Sequence, residues 1–171
     1  MVATFINGYF ASSVWINTEW NMNERLLQYI WQFQLLNRTE LLTTEGERLK
    51  ILYPGTWNRN QGPDFLSGKI EVSGMVWMGH IELHVLSSDW LMHGHAEDEN
   101  YRNIVLHVVW KHDREPGLGF PTLELQPLVP QLLLRRYRNL MENQAFIPCE
   151  GNLSTLQNLM LTKWKERLLF E

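Results

Sequence analysis

Three ionisable residues alternate along one short run of this chain: His80, Glu82 and His84 in "GHIELHV". Upstream lie Pro63 and Asp64, at the start of "PDFLSGKIEV". In an extended strand successive side chains point to opposite faces. Ile81, Leu83 and Val85 therefore share one face, and the three ionisable residues share the other. A solvent-facing side explains such a pattern in a single strand. A second explanation carries chemistry. Asp64 and Glu82 offer hard oxygen ligands of the kind magnesium takes, one or two carboxylates plus water. A metal held this way polarises a phosphoryl oxygen and acidifies a bound water. His84, two residues past Glu82, then stands beside that water as base or hydrogen-bond donor.

A second cluster follows in "DWLMHGHAEDENY", where His93, His95 and Asp98 have a spacing that could grip zinc or another transition metal. No strand or helix clearly fixes them, and short His-x-His patterns arise by chance. They are expected to shape the rim of the same cleft rather than to hold zinc alone. His107 sits in "IVLHVVW" with Val105 and Val109 as same-face neighbours. One histidine among valines reads more readily as a satisfied core or interface residue than as a ligand. The chain carries no Gly-rich phosphate loop, paired-cysteine motif or nucleophile elbow.

The elements that must position these residues follow from periodicity. Leu26, Leu27, Ile30, Trp31 and Phe33 recur at helical spacing through "NERLLQYIWQFQLLNR", with Asn23 as N-cap. "GERLKILYPG" reads as a strand with Leu49, Ile51 and Tyr53 on one side, and "TWNRNQGP" as a loop. Strands over about residues 65–72 and 75–86 flank a Ser73-Gly74 turn. "SSDWLMHGHAEDENYRN" is polar and irregular, with one helical turn at most, while "IVLHVVWKH" and "PTLELQ" are further strands. A helix starts near Pro130 and "FIPCEGN" is a linker. An amphipathic helix runs from about Ser154, with Leu156, Met160, Trp164 and Leu168 in line. This order predicts an α/β (α+β) domain, a mixed central sheet flanked by helices.

Register tests whether the carboxylates can meet. A two-residue turn at Ser73-Gly74 pairs Val72 with Met75, Ile70 with Trp77 and Leu66 with Ile81, which matches the apolar faces. Asp64 then falls opposite Leu83, on the wrong face for Glu82. A bulge near Pro63, or a strand that starts after Asp64, repairs this. The hairpin permits the site without requiring it.

Bulk composition narrows the function classes. A chain of 171 residues with 44% hydrophobic and 20% charged residues fits one folded domain. The net charge of -4 weighs against tight, unassisted nucleic-acid binding, but leaves room for a local patch such as Arg135, Arg136 and Arg138. The single cysteine, Cys149, excludes an internal disulfide and fits a reducing cytoplasm. "MVATFINGYFASSVW" lacks the basic leading segment of a secretory signal, and no apolar run is long enough to span a bilayer. The eight tryptophans read as a core with amphipathic rims in preference to stacking on bases.

"ERLLQYIWQFQLLN", "YPGTWNRNQGPDF", "VWMGHIELHVLSSDWLMHGHAEDENYRNIVLHVVWKHD" and "TLELQPL" together resemble a bacterial family common in Bacteroidetes, the domain of unknown function 2851. The resemblance covers roughly residues 22–151. Members are usually longer, which implies that this chain is an N-terminal portion or a truncated product. On that reading residues 1–21 are an upstream extension, 22–151 the domain, and 152–171 the start of a C-terminal region. The last helix is then expected to self-associate where its apolar stripe lacks a cover.

Pro63-Asp64 and Glu82-Leu83-His84 are also distantly similar to the PD-(D/E)XK nuclease superfamily. That resemblance implies a core of helix, three strands, helix and strand. It also implies a metal-binding Asp after a Pro, and a later strand carrying Glu-x-Lys. His84 stands where Lys is usual.

Three functions follow. The first is a nuclease-like phosphodiester hydrolase acting on DNA or RNA with Mg2+ or Mn2+, in which Asp64 and Glu82 hold the metal and His84 assists the water. The second is a non-catalytic module that binds a protein partner on the same scaffold. The third is a Zn2+-dependent hydrolase using His93, His95 and Asp98, joined by His84.

Overall fold

The computed structural model describes residues 22–93, 98–142 and 162–167. The expected extension at 1–21 and His95 lie outside the described residues, as does most of the last expected helix, of which 162–167 is helical.

Helix α1 (Glu24–Gln32) begins where Asn23 accepts a hydrogen bond from the Leu26 backbone N–H at 2.9 Å. Its i, i+3, i+4 apolar spacing buries Leu27, Ile30 and Trp31 completely. Each such side chain contributes roughly 1.5–3 kcal/mol by leaving water. The stripe packs on a mixed sheet of β1 (Leu41–Leu42), β2 (Arg48–Tyr53), β4 (Phe65–Val72), β5 (Met75–Leu86), β6 (Ile104–Lys111) and β7 (Thr122–Glu124), in that spatial order. The short β3 (Thr56–Trp57) pairs with the start of β4, inside a stretch that reads as loop chemistry. The β1–β2, β2–β4, β3–β4 and β4–β5 pairs are antiparallel, whereas β6 lies parallel to both β5 and β7. Residues 104–110 of β6 are buried without a break, as a central parallel strand demands. The crossover from β5 to β6 contains the single-turn α2 (Asp89–Met92) and a 3-10 turn at Glu99–Tyr101. Helix α3 (Gln131–Glu142) follows β7 and buries Leu134.

Two expected registers are corrected. Tyr53 does not share the buried side of Leu49 and Ile51. The β2–β4 ladder slips between Ile51 and Tyr53, and Tyr53 turns to solvent. In the β4–β5 hairpin, Ser73 and Gly74 have φ of 49° and 86°, the two positive values of a type I′ turn, and Val72 pairs with Met75 as expected. Further along, the expected Leu66–Ile81 pair is replaced by Phe65–Ile81. The slip falls between Phe65 and Gly68, where Ser67 adopts a φ of 56° and its N–H reaches His80 Nδ1 at 3.3 Å. Gly68 beside it is packed so closely on Ile81 that a Cβ there would overlap the isoleucine side chain. One extra residue in β4 thus moves Asp64 from opposite Leu83 to the neighbourhood of Glu82.

Candidate functional site

Asp64 stands just before β4, and its peptide and side chain are both tied to β5. Its backbone N–H donates to Glu82 Oε2 at 3.0 Å, and its Oδ2 accepts from the Leu83 N–H at 3.1 Å. The carboxylate takes the ladder position that β4 has vacated at its end. Helix α1 supplies the next contact, Gln28 Nε2 donating to Asp64 Oδ1 at 2.7 Å. Glu24, one turn earlier on the same face, adds negative charge towards both carboxylates. Helix α1 and both strands of the β4–β5 hairpin therefore converge on one point.

A solvent-facing side does not account for β5. Glu82 is 6% exposed and His84 1%, so the ionisable face lies under the crossover. Trp90 of α2 seals it, with its ring edge-on to His84, His107 and Tyr101 and 5.2 Å from Phe120. His84 is the centre of an imidazole chain. Its Nδ1 lies 2.9 Å from His107 Nε2, and its Nε2 lies 3.1 Å from His93 Nδ1 and 3.9 Å from Glu82 Oε1. His107 is fully buried and His93 is at the surface, so the chain runs from the core outward.

Burial governs the electrostatics. Desolvation raises the Asp64 carboxyl to about 6, against the opposing Leu83 N–H and Gln28 hydrogen bonds. Desolvation, and then the charge of Asp64, raises Glu82 to about 9. Tyr101 is pushed up to about 12 by burial and by the charges of Glu82, Asp64 and Asp98. Two carboxylates that share a desolvated place are stabilised by one proton or by a cation between them. As placed, they are turned to peptide N–H groups, and among the described residues no three His, Cys, Asp or Glu side chains converge as a metal-ligand set.

Asp64, Glu82 and His84 are thus brought together. His93 joins them through His84. Asp98 is turned to its own loop, where Oδ1 accepts from the Asn100 backbone and side-chain N–H at 2.9 Å and caps the 3-10 turn. Sequence reasoning assigned His107 to the core and overlooked its contact with His84. The pairing of Glu82 with His107 across parallel β5 and β6 makes that contact, and it depends on a strand order that no local pattern reveals. Gln28 was also overlooked. Its only signal was the Glu24-x-x-x-Gln28 spacing, which puts both residues on one helix face.

Fold and site define an α+β protein whose mixed sheet carries a buried carboxylate–histidine cluster at the β4–β5–β6 junction. A family model described as Protein of unknown function (DUF2851) matches residues 24–171, and the chain belongs to that family. No curated protein and no solved structure matches it. Among the described residues, no helix is long and apolar enough to cross a membrane.

Proposed function

We propose that the chain is a divalent-metal-dependent hydrolase of phosphodiester bonds in nucleic acid, working in the cytoplasm. The observation that carries this reading is the meeting of Asp64 and Glu82 through the Asp64 N–H to Glu82 and Leu83 N–H to Asp64 hydrogen bonds at 3.0 and 3.1 Å. Both carboxyls are desolvated and raised in pKa, the state in which a bound cation is worth most to the pair.

Asp64 and Glu82 would hold Mg2+ or Mn2+ once their oxygens turn from the peptide N–H groups. When bound, the ion supplies a Lewis acid for a phosphoryl oxygen and lowers the pKa of water. Gln28 fixes the orientation of Asp64. His84, whose Nε2 lies 3.9 Å from Glu82 Oε1, would take the proton of the attacking water at that nitrogen once its contact with His93 opens. Lys in that position supplies a fixed charge, whereas imidazole supplies a base.

The test is cleavage of labelled single- and double-stranded DNA and RNA with Mg2+, Mn2+, Zn2+ or EDTA. Cleavage with Mg2+ or Mn2+ that Asp64→Asn and Glu82→Gln abolish supports the reading. Binding titrations that show no divalent-cation site dependent on Asp64 and Glu82 overturn it. A second reading, a Zn2+ hydrolase, draws on His93 beside His84. It predicts stoichiometric zinc that is lost on His93→Ala.

A further inference from the structure

Beside the carboxylates lies a groove of about 800 Å³ between α1, β3 and α3. Its walls combine two kinds of side chain. Tyr29, Phe33 and Trp57 present aromatic faces and are 53%, 55% and 37% exposed, which is far more than large rings keep in a finished core. Arg25, Arg59 and Arg136 bring positive charge, and among the described residues no acidic side chain lines the groove. This is a concentration of cations in a chain whose net charge is -4. The Arg59 guanidinium lies 4.9 Å from the centre of the Trp57 ring, and the Tyr29 and Phe33 rings are 4.7 Å apart at 51°. Tyr137, half-buried on α3, lines the same groove.

Both walls touch the candidate site. On α1, Gln28 lines the groove and donates to Asp64 Oδ1. On the other wall, Trp57 pairs with Phe65, and the next residue, Asn58, donates its N–H to the Asp64 carbonyl at 2.8 Å. Both walls of the groove thus include or adjoin residues that hydrogen-bond to Asp64.

We propose that this groove binds single-stranded nucleic acid and leads it to the Asp64–Glu82 carboxylates. Every base offers a π-face to exposed rings, and guanidinium groups track the phosphates. Interleaved aromatic and arginine side chains are the physical basis of sequence-tolerant single-strand binding. A duplex hides its base faces in the stack and gains only from the arginines. The inference rests on the hydrolase reading for its direction, and adds that the substrate is unpaired where it meets the protein.

Fluorescence anisotropy with a labelled oligothymidylate of about 12 nucleotides tests it, a length within the range of single-strand site sizes. The full chain is titrated in EDTA, so that no cleavage intervenes. The single strand should bind more tightly than a duplex of equal length. Tyr29→Ala and Phe33→Ala should each weaken binding about tenfold, the order expected for one stacked base. Arg59→Glu and Arg136→Glu should weaken it and flatten its salt dependence. All four side chains are exposed, so thermal unfolding should be unchanged and the variants comparable. Equal or tighter duplex binding, or variants that bind as the parent does, overturns the proposal. So does a dimer that Phe33→Asp dissociates in sedimentation, because the groove then holds a second copy. The two readings fail separately. Single-strand affinity without metal-dependent cleavage leaves the groove and removes the hydrolase. Duplex cleavage without single-strand affinity does the reverse.

Discussion

Two carboxylate sites flank β5, and the same chemical group is treated in opposite ways. After β5, Asp113 is exposed and surrounded by donors. It accepts from Ser87 Oγ and Ser88 N–H at 3.0 Å and from Ser88 Oγ at 2.8 Å. Slight burial pushes its pKa up, but the Ser88 N–H and the two serine hydroxyls outweigh this and hold it down to about 2. At the other site, Asp64 and Glu82 are desolvated, lie beside each other and beside Glu24, and are raised to about 6 and about 9. Asp113 is a clamp whose interactions are complete, tying the end of β5 to the end of β6. The Asp64–Glu82 pair is held at a cost in the free protein and gains from a ligand that brings positive charge. Opposite pKa directions separate a structural carboxylate from a functional candidate more sharply than residue type does.

Activity should divide the two sites by the largest margin. Asp64→Asn or Glu82→Gln should lower metal-dependent cleavage by roughly a thousandfold or more, in line with the loss of a metal ligand. Asp113→Asn should leave cleavage near the parental rate. A comparable loss from Asp113→Asn would erase the distinction.

Stability should divide them in sign. In EDTA at pH 7, Glu82→Gln should stabilise the fold by up to about 3 kcal/mol, because the native carboxyl is raised across the interval from 4.5 to pH 7 at 1.36 kcal/mol per unit. Gln keeps an oxygen to accept the Asp64 N–H. Urea unfolding measures this, and the stabilisation of the parent by Mg2+ should vanish in the variant.

The pH profile carries the same contrast. Raised native carboxyls bind more protons folded than unfolded. Metal-free stability should therefore fall as pH rises from about 4 to about 9, over the interval set by Asp64 and Glu82. The lowered Asp113 works the other way. Its contribution is present above about 4 and is lost as pH falls towards about 2, and Asp113→Asn should remove only that acid limb.

A smaller effect sharpens the geometric side. Gly68→Ala should destabilise by roughly 1–3 kcal/mol through overlap with Ile81, and should cost activity by shifting the bulge that brings Asp64 to Glu82. Full activity in a destabilised Gly68→Ala protein would show that the pair tolerates another register.

Most elements around the site were legible because their signals are local. The α1 stripe and the Asn23 cap, the β4–β5 hairpin with its Ser73-Gly74 turn, and the β-branched run of β6 each follow from spacing within a few residues. The two-residue strands β1 and β3 were missed, because a pair of residues has no period to read. Asp64, Glu82 and His84 were singled out by residue type and alternation. Gln28, Tyr101 and His107 carried no comparable signal, since each reaches the site from another element.

By itself the sequence determined the alternation of His80, Glu82 and His84, the amphipathic helix that covers the sheet, and the turn that closes the hairpin. These depend on backbone periods of 2 and 3.6 and on which residues tolerate positive φ. Only the tertiary structure decided that the ionisable face is buried under Trp90, that His107 meets His84, and that Asp64 lies against Glu82. The last of these turns on one extra residue at Ser67 in β4. A one-residue slip reverses every side chain beyond it, and the slip falls beside Gly68, whose close packing on Ile81 leaves no room for a Cβ.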